Sequence, residues 1–325
     1  MIRLFKQSTL GQILVILLTA MLLWVKAFIT PVDTAVCNYF SPIYGFVFGW
    51  LSHLPRLATA LALLLTLVEG AWFNLILTNH KMTKANSLMP MLLYVVAMSW
   101  NYELLTMTPM LLVNALVLAS CSQLLSDGTT SLTVGHNFNA SFCIGLMALC
   151  YLPSLCYFVP FLFVFVVYKL YRWRDIVVSI LGLIAPSIIL FTYAFMCDKL
   201  DYYLILIQYD LLNFNFHFES ISFWRLLPTL VFLLILVAAL FRQLGSIGDN
   251  IVHQRINTGI VILPLIASIL LTSYTKFQPL DTQSYVIPFS FLVTRFLMAE
   301  RKRHWVNETL IWLVLVCALV NVLFN

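Results

Sequence analysis

The sequence predicts an all-α, polytopic transmembrane helical bundle of about eleven spans, with membrane-parallel interfacial helices in its outer loops. Three observations carry this expectation. The 325 residues are 62% hydrophobic and only 10% charged, whereas a soluble domain carries about 25% charged residues. The mean hydropathy is +0.96, and the shortage of charge recurs along the whole chain, so residues 1–325 read as a single integral membrane domain. Apolar runs also follow one another throughout, each close to the roughly 20 residues that cross about 30 Å of hydrocarbon.

The runs fall near 9–29, 55–79, 88–103, 107–125, 138–153, 154–171, 176–197, 222–242, 257–275, 284–299 and 307–324. The first lies in MIRLFKQSTLGQILVILLTAMLLWVKAF. It has the basic start of a signal peptide, but its apolar run is too long and no small-residue cleavage site follows, so it reads as a retained span. The fifth and sixth join at Pro153 with almost no loop.

Charge tests the count. Arg3 and Lys6 precede the first run, and Lys81 and Lys84 follow the second. Lys169, Arg172 and Arg174 close the sixth, Arg242 and Arg255 flank the loop after the eighth, and Arg301, Lys302 and Arg303 follow the tenth. With eleven spans all these clusters fall on one side. Cytoplasmic loops concentrate Lys and Arg, so the N-terminus is expected inside and the C-terminus outside. The formal charge of +5 then has a topological origin, and no basic tail or aromatic-basic stripe points to nucleic acid.

Between the first two runs lies FITPVDTAVCNYFSPIYGFVFGWLSHL, residues 28–54. Counting 42–54 as a further span would invert everything downstream, and at roughly 20 Å of helix it is too short. Ile43, Phe46, Val47, Trp50, Leu51 and Leu54 repeat at three and four residues, the pattern of an amphipathic helix lying in the outer interface. Pro42 suits a first turn, with Ser41 as its cap. A second such helix is expected over 202–214, within DKLDYYLILIQYDLLNFNFHFESI, and a third outer segment is TKFQPLDTQSY at 275–285.

The residues that carry chemistry are few. Glu69, in LTLVEGAWFNLIL, is the acid well inside a run, with Asn74 about one turn beyond. An ionised carboxylate there costs about 2.5–3.5 kcal/mol on translocon scales. It reads either as a proton-coupling site or as a polar tie between helices. Arg56 and Arg225 enter spans from the outer side, where a guanidinium suits a phosphate or carboxylate; the bland reading is headgroup anchoring. Asp33, just after the first span, is either a solvated loop residue or a general base facing the membrane surface. His53 stands beside Arg56, and Asp198, Asp201 and Asp210 offer carboxylates to a ligand or a divalent cation, although their spacing matches no metal motif. No phosphate loop, HExxH, GxSxG or CxxC occurs, and no other cofactor is implied. Of the seven cysteines only Cys37 and Cys197 fall near the outer surface, and nothing in their spacing argues for a disulfide.

RLFKQSTLGQ, FNLILTNHKMTKANSLMPMLLYVVAMSW, FNASFCIGLMALCYLPSL and YRWRDIVVSILGLIAPSIIL together resemble an uncharacterised family of polytopic inner-membrane proteins found mainly in Bacteroidetes. The resemblance implies the bacterial inner membrane and carries no activity. A first span, an outer loop with an acid and a membrane-parallel helix is also similar to membrane glycosyltransferases of the GT-C type. That likeness implies transfer of a sugar from a polyprenyl phosphate at the periplasmic face, with Asp33 as base and Arg56, Arg225, His53 and Asp210 around the substrate. Asp33 has no neighbouring acid, and the large soluble domain common in that class is missing.

Three functions remain open on the sequence. One is this glycosyl transfer. Another is a proton-coupled transporter or flippase using Glu69 and Asn74, although only 11 glycines and no visible repeat weigh against it. The third is a non-enzymatic subunit of an envelope assembly, whose partners are membrane lipids and other envelope proteins.

Overall fold

The computed structural model describes residues 9–32, 42–83, 87–125, 133–167, 173–212, 223–246, 252–275, 278–299 and 304–324. These residues are helical, without strands. In chain order the helices are α1 (Thr9–Ile29), α2 (Pro42–Phe48), α3 (Pro55–Asn79), α4 (Met89–Met98), α5 (Pro109–Leu124), α6 (Val134–Cys150) and α7 (Phe158–Val167). Then come α8 (Trp173–Met196), α9 (Leu200–Leu212), α10 (Phe223–Ser246), α11 (Val252–Thr275), α12 (Val286–Ala299) and α13 (His304–Phe324). Four stretches are long and apolar enough to cross a membrane: Leu10–Ile29, Pro55–Asn79, Trp173–Met196 and Gln254–Thr275.

Local chemistry sets the boundaries. Proline opens α3, α4 and α5 in the first turn, where its missing N–H costs nothing. Thr108 caps α5 by accepting from the Leu111 amide at 3.3 Å. The α3 end is closed by Lys81 at φ 55°, with the Met82 amide returning 2.9 Å to the Leu77 carbonyl. Asp198 at φ 54° does the same for α8, with Lys199 bonding Ala194 at 2.9 Å. Both are left-handed caps that satisfy orphan carbonyls.

Hydrogen bonds tie matching ends of the helices together. At one end the Leu88 amide meets the Gln12 side chain (2.8 Å), His136 meets the Gln123 carbonyl (3.2 Å) and Arg295 meets Thr258 (2.6 Å). At the other, Trp24 donates to Ser99 (2.9 Å), Asn321 to the Trp100 carbonyl (2.5 Å) and Lys26 to the Val322 carbonyl (3.0 Å). We call the first the basic end, because Lys81, Arg174, Arg242, Arg255 and Arg295 lie toward it. The second is the distal end.

The layering follows from burial. Every residue of α4 except Met91 is buried, and most of α5 and α12 is too. These short helices form the centre, inside longer ones that expose leucine and isoleucine. The extreme is α8. Only 17% of its most apolar stretch is buried, against 56% in α11. It docks on α6 through two glycines. A Cβ at Gly182 would collide with the Ser141 hydroxyl and lie 2.8 Å from the Phe138 carbonyl; one at Gly145 would meet the Leu183 carbonyl and lie 2.9 Å from Pro186. A side chain at either place would prise the two helices apart.

Candidate functional site: two buried carboxyl groups

Glu69 projects from the middle of α3 and is 1% exposed. Tyr94, from α4, donates its hydroxyl to Oε2 at 2.6 Å. The residue beside Glu69 makes this reach possible. A Cβ on Gly70 would stand 3.3 Å from both Met91 and the Tyr94 ring, so glycine lets α4 lie close. Phe73, one turn on, packs its ring 5.9 Å from that of Tyr94 and fixes it from the other side. Oε1 is buried with no hydrogen-bond partner, and among the described residues no basic side chain pairs with this carboxyl group. Asn74 is buried as well, but its Oδ1 has no partner. Glu69 takes its hydrogen bond from the neighbouring helix.

The second carboxyl group is Asp281, in a 3-10 turn over Pro279–Tyr285 at the distal end. It too is 1% exposed, but three donors reach it. Oδ2 accepts from the Thr275 hydroxyl and from the Gln278 amide at 3.0 Å, and Oδ1 accepts from the Tyr151 hydroxyl at 3.4 Å. Burial nevertheless pushes its pKa up to about 7, against the opposing pull of the Thr275, Gln278 and Tyr151 hydrogen bonds.

Around Asp281 the distal end is a knitted polar layer. Gln283 accepts from the Thr108 hydroxyl at 2.8 Å and donates to the Leu104 carbonyl at 3.3 Å, and its own carbonyl accepts from Asn114 at 3.0 Å. Asn101 donates to Thr282 at 2.8 Å, and Ser268 donates to the Ser284 carbonyl at 2.9 Å. The turn before α12 is thereby fastened to α5, α11 and the end of α4. Tyr157, closing the 3-10 turn over Leu152–Tyr157, is buried as well. Its buried hydroxyl, with Ser268 beside it, makes no hydrogen bond of standard geometry.

The remaining candidates are more scattered. His53 and Arg56 are exposed at the distal end, close in the chain to the exposed Trp50. The 42–54 segment that carries His53 is helical, as α2 followed by a 3-10 turn over Gly49–His53, and Arg56 lies in the first turn of α3. It is pinned by Tyr44, whose hydroxyl donates to the Met107 carbonyl at 2.5 Å, and by buried Leu51. Arg225 falls in α10 and Asp210 in α9, but their side chains lie outside the described residues, as does Asp33 altogether. Cys197 is a free, exposed thiol, and Cys37 is outside the described residues. Among the described residues no group of three His, Cys, Asp or Glu side chains could hold a metal ion.

Two members of this site were not singled out from the sequence. Tyr94 sits in an unbroken apolar run, LLYVVAM, where nothing distinguishes it from a core aromatic. Asp281 reads as an ordinary loop acid, and the proline and glutamine just before it were the available hint of a capped turn. No family model, curated protein or solved structure matches the chain.

Proposed function

We propose that the chain is a multi-spanning membrane protein that couples proton movement to transport, or to lipid flipping, through Glu69. The observation that carries this reading is the state of that carboxyl group. It is buried mid-helix, held by one tyrosine, without a basic partner among the described residues and with one oxygen unbonded. A group used only to tie helices together gains from satisfying every lone pair. A proton carrier has to keep a site open. The proposed setting is the bacterial inner membrane, with eleven crossings, the basic end cytoplasmic and the C-terminus periplasmic. Reconstituted protein is expected to move its substrate in response to a proton gradient and to lose that response in Glu69→Gln. Gradient-independent movement would remove Glu69 from the mechanism.

A second reading keeps one observation of its own. His53 and Arg56 are exposed together at the distal end, close to Trp50, an arrangement suited to a phosphate at a membrane surface. In that reading Asp33 is the base of a glycosyl transfer from a polyprenyl phosphate, with Arg225 as a further phosphate contact. Arg56→Ala would then alter lipid-linked glycans at unchanged protein level; an unaltered glycan profile ends this reading.

A further inference from the structure

Glu69 divides the buried face of α3 into two unlike halves. Between the distal end and Glu69 the buried residues are Ala58, Thr59, Ala62 and Thr66. Past Gly70, toward the basic end, they are Phe73, Asn74, Ile76 and Leu77. At about 3.6 residues per turn, Thr59, Ala62, Thr66, Phe73, Ile76 and Leu77 lie within about 80° of Glu69, and Asn74 about 140° away. The stripe through Glu69 is therefore small on one side and bulky on the other.

The two sides differ in what they would admit. Phe73 is held against Tyr94, ring centroids 5.9 Å apart, and with Ile76 and Leu77 it closes the basic side. The distal side carries hydroxyls. Thr66 donates to the Ala62 carbonyl, and Thr59 to the Arg56 carbonyl at 2.9 Å. A hydroxyl that donates to its own helix keeps lone pairs for a water or a protonated carboxyl group. Helical side chains also lean toward the N-terminus of their helix, and α3 starts at the distal end. Glu69 thus leans over the turn that holds Thr66, with Oε1 unbonded. Small residues by themselves would only let a neighbouring helix lie close. The bare oxygen at the head of the stripe is what calls for a path.

We infer that Glu69 exchanges its proton with the distal side alone, by water entering along Thr59, Ala62 and Thr66, while Phe73, Ile76 and Leu77 seal the basic side. The inference rests on the reading of Glu69 as a proton carrier and adds the side from which it is loaded. A proton from water at the distal end passes to Oε1 of the ionised carboxylate and returns by the same path. Delivery to the basic side then requires the Phe73 seal to part.

The test reads access instead of transport. Full-length Thr66→Cys protein is reconstituted in sealed vesicles of a single orientation, and a small charged thiosulfonate is applied to one side at a time. Peptide mass spectrometry locates the label, and the exposed native Cys197, at the distal end of α8, reports which side was reached. Thr66→Cys is expected to be modified from the side that modifies Cys197 and to stay unmodified from the other. Modification from the opposite side, from both sides or from neither would overturn the path. Adding Phe73→Ala, or Ile76→Ala should the former fail to elute as a monodisperse species, should admit the reagent from the opposite side as well. A label still confined to the Cys197 side would overturn the seal. The labelling decides the path even where Glu69→Gln transports normally, an outcome that ends the carrier reading and leaves the access to Glu69 standing.

Discussion

Glu69 and Asp281 are equally buried, yet they are held in opposite ways. Asp281 receives donors from a threonine, a backbone amide and a tyrosine, and it anchors a turn that fastens three other helices. Glu69 receives one donor from one neighbour and leaves an oxygen bare. On the proposed transport reading, the difference separates a carboxyl group that holds a structure from one kept available for exchange. Burial alone does not tell the two apart; the number of donors each receives does.

Substitution breaks the comparison most sharply at Asp281. Asp281→Ala strands the donors of Thr275, Gln278 and Tyr151 together, and is expected to cost about 3 kcal/mol of stability, read by denaturant or thermal unfolding in detergent. The same group sets a pH dependence. The unfolded chain releases this proton near pH 4 and the folded one near about 7. Between those values the folded state holds more protons, so its stability is full below about pH 4 and falls as pH rises toward 7. Asp281→Asn should flatten that slope; an unchanged slope would place its origin elsewhere.

At the other carboxyl group the effects are smaller on stability. Tyr94→Phe leaves Glu69 without its donor in an apolar surrounding, and about 1–2 kcal/mol of destabilisation is expected. Glu69→Gln keeps an acceptor for Tyr94 and nearly the same volume, so a change within about 0.5 kcal/mol is expected, beside complete loss of gradient-dependent transport. If Glu69→Gln instead destabilised as much as Asp281→Ala, the two carboxyl groups would share one structural role.

Much of this was legible in the sequence, and the rest was hidden for physical reasons. The helices were legible because runs of apolar side chains mark them locally along the whole chain. Glu69 was legible because an acid inside LTLVEGAWFNLIL is costly wherever it points. Its partner was not, since pairing Glu69 with Tyr94 needs the approach of two helices, and only Gly70 marks that approach. The 3-10 turns over Tyr102–Leu104, Leu152–Tyr157 and Pro279–Tyr285 were hidden as well. The last of them draws its stability from side chains far away in the chain, as Gln283 does from Thr108 and Asn114. Local propensity carries no trace of such partners. The burial of Asp281 was invisible for the same reason.

On the proposed membrane-spanning reading, the arrangement of short helices inside long ones has a consequence for how the protein would meet membranes of different thickness. A ten-residue helix such as α4 is about 15 Å long, and exposed to lipid it would pinch the bilayer. Surrounded by protein, it is exempt from matching. The long peripheral helices are not. The apolar part of α8, from Ile176 to Met196, extends about 32 Å, close to an average hydrocarbon core of about 30 Å. Thickness would therefore act on the long helices, and Glu69 belongs to one of them, α3, whereas its partner Tyr94 stands on the sheltered α4.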